Sequence, residues 1–301
     1  MEVGFAGLGR MGKNMVMRLL RDKHRVVAFN RSPGPREEIA KQGAVAVASL
    51  EELAKQLKPP RVIWIMVTHT ATEEMIRQLM PHLRKGDILI DGGNSFFKDS
   101  VRRYNDLKEK SIHFLDMGIS GGIIAAERGY CIMVGGDKDA FDHVEPLLKS
   151  LAMSNGYMYI GESGSGHFVK MVHNAIEYGM MQSIGEGFNL LQNGPYQNLD
   201  LAGIANLWNH GSIVSSFLIE MTKKALEEDA KLEKIEGYVE DSGEGKWAVQ
   251  TALEHSVPME TIAQALFSRY NSRRRGEFAH KIMAAQRNKF GAHPVKEKKE
   301  E

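Results

Sequence analysis

The 301-residue chain has one cysteine, Cys131, so no disulfide can close within it and a reducing compartment is the expected setting. It lacks an excess of either charge. The 39 Lys and Arg against 38 Asp and Glu leave a formal net charge of +1, which gives no footprint for nucleic acid or an anionic membrane surface. It lacks a long apolar run: the longest, residues 62–67, is far too short to span a bilayer. The N-terminus enters a strand pattern without a cationic leader, so no secretory signal is expected. No His/Cys cluster has metal-ligand spacing, which implies no metal. Cys131 reads as a small buried hydrophobe rather than a nucleophile. What remains is the composition of a soluble, cytoplasmic protein whose length favours two domains.

Residues 2–6 form an apolar strand that runs into Gly7-Leu8-Gly9-Arg10-Met11-Gly12, followed by apolar residues at helical spacing: Met15, Val16, Leu19 and Leu20. Strand, G-x-G-x-x-G and helix in that order has a mechanism. The first glycine makes the tight turn, the second lets backbone approach a pyrophosphate, and the third lets helix pack on strand. The pyrophosphate then sits at the positive end of the helix. The other reading is a tight turn with no ligand. The second strand, 25–29, ends at Asn30-Arg31-Ser32, where an NAD site carries an acidic residue for the ribose 2′-hydroxyl. A neutral side chain followed by a cation there favours NADP over NAD. On the alternative reading, Arg31 only opens a helix.

Alternation continues with helices expected at 36–41, 50–56, 73–83 and 140–148, and strands at 44–47, 62–67, 88–91, 112–115, 131–134 and 158–160. Near-continuous apolar strands alternating with helices predict a parallel sheet covered on both faces, a Rossmann-type doubly wound α/β domain. Ligands bind beyond the carboxyl ends of such strands, where Thr68, Asn94 and Ser95 fall. Ser120-Gly121-Gly122 brings N–H groups within reach of an anion, or is simply a mobile loop.

After residue 160 the β signal ends. A glycine/serine stretch, 161–166, suggests a boundary between a dinucleotide-binding domain, 1–163, and an all-α C-terminal domain, 164–295, with a charged tail at 296–301. Helices are expected at 167–191, 199–208, 213–228, 246–254, 259–275 and 277–286. On the first of these, Lys170, His173, Asn174, Glu177, Tyr178 and Met181 share one face, and Val169, Val172, Ile176 and Met180 the opposite one. An ordinary surface helix shows long charged residues opposite its apolar side. Here an ammonium, imidazole, carboxamide, carboxylate and phenol stand in a row. They form either the wall of a reaction chamber or a solvated face with a distant charge pair. Lys246 opens a glycine-flanked helix, where a cation is slightly unfavourable and hints at a ligand. Arg269 and Arg273-Arg274-Arg275 make a basic cluster, read as mostly solvated. Arg287 and His293 flank Phe290-Gly291-Ala292 near the end.

The glycine turn, Asp91-Gly92-Gly93-Asn94-Ser95, Ser120-Gly121-Gly122, Glu127-Arg128-Gly129-Tyr130-Cys131, the run 170–181, Gly245-Lys246-Trp247 and Phe290-Gly291-Ala292-His293 together resemble the decarboxylating 6-phosphogluconate dehydrogenase family in its short bacterial-type form. The resemblance covers almost the whole chain. It implies oxidation and decarboxylation of 6-phosphogluconate to ribulose 5-phosphate and CO2 in the pentose phosphate pathway, without a metal. Lys170 would be the base that takes the C3 hydroxyl proton, for which it must be neutral, and would later stabilise the C3 oxyanion. Glu177, about 10 Å further along the helix axis, would donate a proton to C1. Asn94, Ser120, Gly121, Gly122, His173 and Asn174 would bind the carboxylate and hydroxyls. Tyr178, Lys246, Arg269, Arg287 and His293 would gather around the 6-phosphate, the last two from a partner subunit, so at least a homodimer is implied, or a homotetramer. The cofactor would meet residues 7–12, Asn30, Arg31, Ser32, Met66, Val67, Thr68 and Asn94. Two departures lie beside the cofactor. Residues 123–126 replace a bulkier Trp-containing segment, and Thr68-His69-Thr70 replaces a smaller or proline-containing turn. Many short forms carry Asp in place of Asn30 and prefer NAD. The rival expectation is a β-hydroxyacid dehydrogenase for a small unphosphorylated acid such as 3-hydroxyisobutyrate, which has no need of the cationic phosphate set.

Overall fold

The computed structural model describes residues 1–274 and 277–291. The chain divides into two compact units, Met1–Asn174 and Ala175–Glu301. The first carries β1 (Glu2–Ala6), α1 (Arg10–Arg21), β2 (Arg25–Phe29), α2 (Pro33–Ala40), β3 (Val45–Val47), α3 (Leu50–Lys55), β4 (Val62–Ile65), α4 (His69–Leu79), β5 (Ile88–Asp91), α5 (Phe97–Lys108), β6 (His113–Ser120), α6 (Ala125–Arg128), β7 (Tyr130–Gly136), α7 (Lys138–Leu151) and β8 (Ala152–Gly161). The strands form one sheet in the order β3-β2-β1-β4-β5-β6-β7-β8.

Period-two alternation decides which cluster each strand residue enters. Val3, Phe5, Trp64, Ile88 and Ile90 pack with Met15, Val16 and Leu19 of α1 on one face. Ala6, Ile63, Ile65 and Leu89 pack with Leu53, Ile76 and Leu107 on the other. Both faces are therefore dry, as the continuous apolar strands required.

The sheet departs from the expected all-parallel pattern at one place. β7 runs antiparallel to β6, with Ser120 opposite Cys131, and β8 is again parallel to β7. Residues 121–129, including the one-turn helix α6, are too few for a crossover connection, so the chain doubles back. β6 also extends to Ser120, through residues expected in a loop. β8 begins at Ala152 rather than near 158. α5 was not apparent in the hydrophobic spacing because its buried stripe is Ser100, Arg103 and Leu107, two polar residues in three. α4 starts at His69, four residues early, and β4 stops at Ile65. Cys131 is exposed near the start of β7, not buried, because alternation along the strand turns it to the face opposite the buried Tyr130, Ile132 and Val134.

α8 (Ser165–Asn193) leads into α9 (Leu201–Trp208), α10 (Phe217–Glu228), α11 (Glu244–Glu254), α12 (Glu260–Arg274) and α13 (Glu277–Gly291). α10 begins at Phe217 rather than 213, capped by the Ser216 hydroxyl on the Ile219 N–H. In the second unit, Phe188, Leu201, Ala205, Ile219 and Leu226 form one small core, and Tyr178, Ala265 and Leu266 another. At four positions α8 departs from the usual amphipathic rule. Lys170 and Tyr178 are 7% and 6% exposed, whereas Ile176 and Met180 are 50% and 42% exposed. Among the described residues no helix is long and apolar enough to cross a membrane. Arg275, His293 and the tail 296–301 lie outside them.

Candidate active site

The glycine turn between β1 and α1 has the geometry its spacing implies. Gly7 sits at φ +109°, and a Cβ there would lie 2.3 Å from the Met66 carbonyl oxygen. A Cβ on Gly12 would lie 2.1 Å from the Gly7 carbonyl oxygen. Gly9 is different: nothing stands within 4 Å of its missing Cβ, so the space at the start of α1 is open. Leu8 is buried, Met11 half-buried and Arg10 exposed. Leu8 N–H donates to Asn30 Oδ1 at 3.0 Å, so the end of β2 braces the turn. The Asn30 amide donates onward to the Ser32 carbonyl at 3.3 Å. Arg31 and Ser32 are exposed beside it, Met66 and Val67 half-buried, and Thr68 exposed at the start of α4.

Asn94 is exposed at the tip of the loop after β5. That loop is pinned from beneath. Asp91, 0% exposed, accepts from Gly93 N–H at 3.0 Å, from Ser95 Oγ at 2.7 Å and from Arg103 at 3.1 Å. Arg103 also donates to Ser95 Oγ at 3.2 Å and to Glu73 at 3.1 Å. Hydrogen bonds from Arg102, then Arg103, lower the Glu73 carboxyl to about 2. Sequence reasoning missed Arg103 because nothing marks α5 as functional.

At the end of β6, His173 joins Ser120 and Asn174. Its Nε2 is 3.2 Å from Ser120 Oγ and its Nδ1 3.0 Å from Asn174 Oδ1. Because a carboxamide oxygen only accepts, Nδ1 carries the proton, and in the neutral ring Nε2 accepts from the serine. Lys170, one turn earlier, lies against Gly118, where a Cβ would come within 2.2 Å of the Lys170 Cβ. Gly121 and Gly122, at φ +126° and +59°, follow in the half-exposed turn before α6.

In the second unit, Tyr178 is the centre of another group. The Arg269 guanidinium stacks 3.5 Å from its ring centroid, and Gly245 packs so closely that a Cβ would lie 2.5 Å from its Cε2. Lys246 is exposed at the next residue. The Tyr178 hydroxyl donates to Asp241 Oδ1 at 3.0 Å, which also accepts Gly243 N–H at 3.0 Å. Burial, more than any neighbour, raises the Tyr178 phenol above its ordinary value, so it stays a donor at neutral pH. Asp241 escaped notice, although an Asp two residues before a glycine is an Asx-turn signal. Glu177 is half-buried, and Arg269 also reaches Met181 Sδ at 3.5 Å. Arg287 lies in α13 with its side chain outside the described residues. Among those residues no cluster of three His, Cys, Asp or Glu side chains is arranged to hold a metal ion.

A doubly wound sheet with a glycine turn open at its second glycine, followed by a helical domain, defines the chain as an oxidoreductase with an NAD(P)-binding domain. The family model for the NAD binding domain of 6-phosphogluconate dehydrogenase matches residues 2–161, and the model for that enzyme's C-terminal domain matches residues 166–301. The chain belongs to the 6-phosphogluconate dehydrogenase family. A Bacillus subtilis protein provisionally assigned as 6-phosphogluconate dehydrogenase is 45% identical over 298 residues, 99% of this chain and 100% of its own. The NAD+-dependent, decarboxylating enzyme of Haloferax volcanii is 41% identical over 301 residues, 99% of each chain. The Plasmodium falciparum enzyme, solved apo, with NADP+ and with 6-phosphogluconate, superposes with a TM-score of 0.83 at 33% identity, over 100% of this chain and 67% of its own.

Proposed function

We propose that the chain oxidises and decarboxylates 6-phosphogluconate to ribulose 5-phosphate and CO2 with reduction of NADP, as a cytoplasmic homodimer or larger assembly in the pentose phosphate pathway. Residues 1–163 bind the dinucleotide, and 164–295 serve substrate binding and dimerisation. The observation that carries this reading is Lys170, a lysine only 7% exposed, one turn before an imidazole that bonds both Ser120 and the Asn174 carboxamide.

The turn at residues 7–12 fits a dinucleotide, since the open space at Gly9 is where a pyrophosphate oxygen would stand against α1. Asn30, Arg31 and Ser32 hold the 2′-phosphate, and Met66, Val67, Thr68 and Asn94 line the approach. A nicotinamide cofactor held there would supply the acceptor for the hydride that leaves C3. Lys170 takes the C3 hydroxyl proton. The resulting 3-keto acid loses C1 as CO2 while the protonated Lys170 holds the developing oxygen anion. Glu177 returns a proton to carbon. Asn94, Ser120, Gly121, Gly122, His173 and Asn174 orient the carboxylate and hydroxyls. Tyr178, Lys246 and Arg269, with Arg287 and His293 of a second copy, hold the phosphate.

The test is incubation with 6-phosphogluconate and each nicotinamide cofactor, following reduced nicotinamide and released CO2 together. Both rise in parallel in the wild type. In Lys170→Ala turnover is lost while NADP still binds. Turnover of 3-hydroxyisobutyrate with none of the phosphorylated acid would overturn the assignment.

A further inference from the structure

Alternate residues of β6 run along successive turns of α8. Asp116 meets the start of the helix, Gly118 meets Lys170, and Ser120 meets His173. Strand residues two apart share a face, and helix residues three apart lie nearly above one another, so the two spacings pair off.

Asp116 is 0% exposed. Its Oδ1 accepts Gly164 N–H at 2.7 Å and the Ser163 hydroxyl at 3.4 Å, and its Oδ2 accepts His167 N–H at 2.9 Å. N–H groups at a helix start have no acceptor within the helix, and a carboxylate there also meets the positive end of the dipole. The cap of α8 is thus supplied by the sheet and not by the residue preceding the helix.

The glycine contacts set distance only, while Ser120 Oγ to His173 Nε2 at 3.2 Å and Ser100 Oγ to His167 Nδ1 at 2.7 Å are further side-chain hydrogen bonds to the helix. Besides the Gly118 contact with Lys170, a Cβ on Gly166 would lie 2.3 Å from the Asp116 carbonyl oxygen and 2.7 Å from the Gly135 nitrogen. Such packing lets helix and strand touch, but it is non-directional and resists sliding weakly. The two carboxylate hydrogen bonds are directional, grip backbone N–H groups rather than a side chain that can re-orient, and so hold the helix start along its own axis.

We infer that Asp116 is a positioning residue that sets the register of α8 on β6 and thereby places the Lys170 amine for proton transfer. The inference rests on the role proposed above for Lys170. Asp116 is two residues from Gly118 along the strand, and it acts through the helix start.

Three variants test this: Asp116→Ala, Asp116→Asn and Gly118→Ala. Asn keeps one acceptor oxygen and turns an amide toward the other N–H, so it loses one of the two main bonds. A displacement of about an ångström at a reacting group costs about 10²-fold in rate. The expected kcat loss with 6-phosphogluconate is therefore of that order for Asp116→Ala and smaller for Asp116→Asn, with NADP dissociation constants unchanged. Gly118→Ala shifts the same helix, so in the double variant with Asp116→Ala the combined kcat loss falls short of the product of the single losses. A wild-type kcat in Asp116→Ala, with only a lowered melting temperature, would make the cap a stability device and overturn the inference. So would multiplicative losses in the double variant. Crystal structures of wild type and variants, superposed on the sheet, give a readout independent of activity. The inference expects the Lys170 Cα to move along α8, and an unmoved Lys170 would refute it. Absence of wild-type turnover counts against the proposed activity alone, because the structural comparison still decides the register. If Asp116→Ala does not fold, Asp116→Asn and Gly118→Ala carry the same comparisons.

Discussion

Arg102 and Arg103 are consecutive on α5 and both reach Glu73 on α4, yet the same substitution should affect them very differently. The Arg103 side chain is 4% exposed and donates to Asp91 and Ser95, while that of Arg102 is 48% exposed. Methionine keeps much of the apolar stem and removes the guanidinium. In Arg103→Met the fully buried Asp91 carboxylate retains only Gly93 N–H and Ser95 Oγ among the contacts described above. Breaking a buried pair costs about 3–5 kcal/mol. The two surviving bonds favour the lower end, about 3 kcal/mol. In Arg102→Met the solvent-screened contacts with Glu73, Asp99 and Asp106 are lost, at most about 1 kcal/mol in all. At roughly 2–4 °C per kcal/mol for a domain of this size, Arg103→Met should melt about 6–12 °C lower and Arg102→Met no more than about 4 °C lower. Circular dichroism melts measure both. Because Asp91, Ser95 and Arg103 pin the loop that carries Asn94, Arg103→Met should also raise KM for 6-phosphogluconate, and Arg102→Met should leave it unchanged. Equal melting temperatures in the two variants, or a wild-type KM in Arg103→Met, would refute the reasoning.

Arg31→Ala should weaken NADP binding about 10–100-fold, the loss of a charge-assisted contact of about 1.5–3 kcal/mol, with little change for NAD. Calorimetric titration with both cofactors measures it, and equal losses would remove Arg31 from 2′-phosphate recognition. Glu73 ionises at about 2 in the folded chain against an ordinary value of 4.5, so its stabilisation is complete above about pH 4.5 and fades as pH falls toward 2. Glu73→Gln should therefore cost about 1 kcal/mol or less at pH 7, Glu73 and Arg102 being 54% and 48% exposed, and the gap should close on acidification. A gap that stays constant from pH 7 to 3 would rule this out.

Several parts of the molecule were legible without coordinates. The glycine spacing at residues 7–12, the second strand ending at Asn30 and the dry strands 62–65 and 88–91 follow from local chemistry. A tight turn, a close approach and two-sided burial each demand particular residue types in order. Arg103 was not legible, because a side chain that braces another through a hydrogen bond leaves no periodic mark, and Asp241 left only an Asx-turn signal, which marks a turn and not its bond to Tyr178. Polar residues on the buried stripe of α5 hid that helix for the same reason.

The sequence alone thus determined the succession of the eight strands along the first unit, its dinucleotide turn, and the grouping of Lys170, His173, Asn174, Glu177 and Tyr178 on one helix face. Each of these depends on spacing along a single segment. Only the tertiary structure decided that β7 runs against β6, that Cys131 is exposed, and that Lys170 and Tyr178 on the polar face of α8 are buried while Ile176 and Met180 opposite are exposed. A period of 3.6 says which residues stand together and says nothing of which side turns inward. That choice is made by what the helix lands on: here Gly118, with room for a lysine stem and nothing more, and Asp116, whose carboxylate holds the helix start in place.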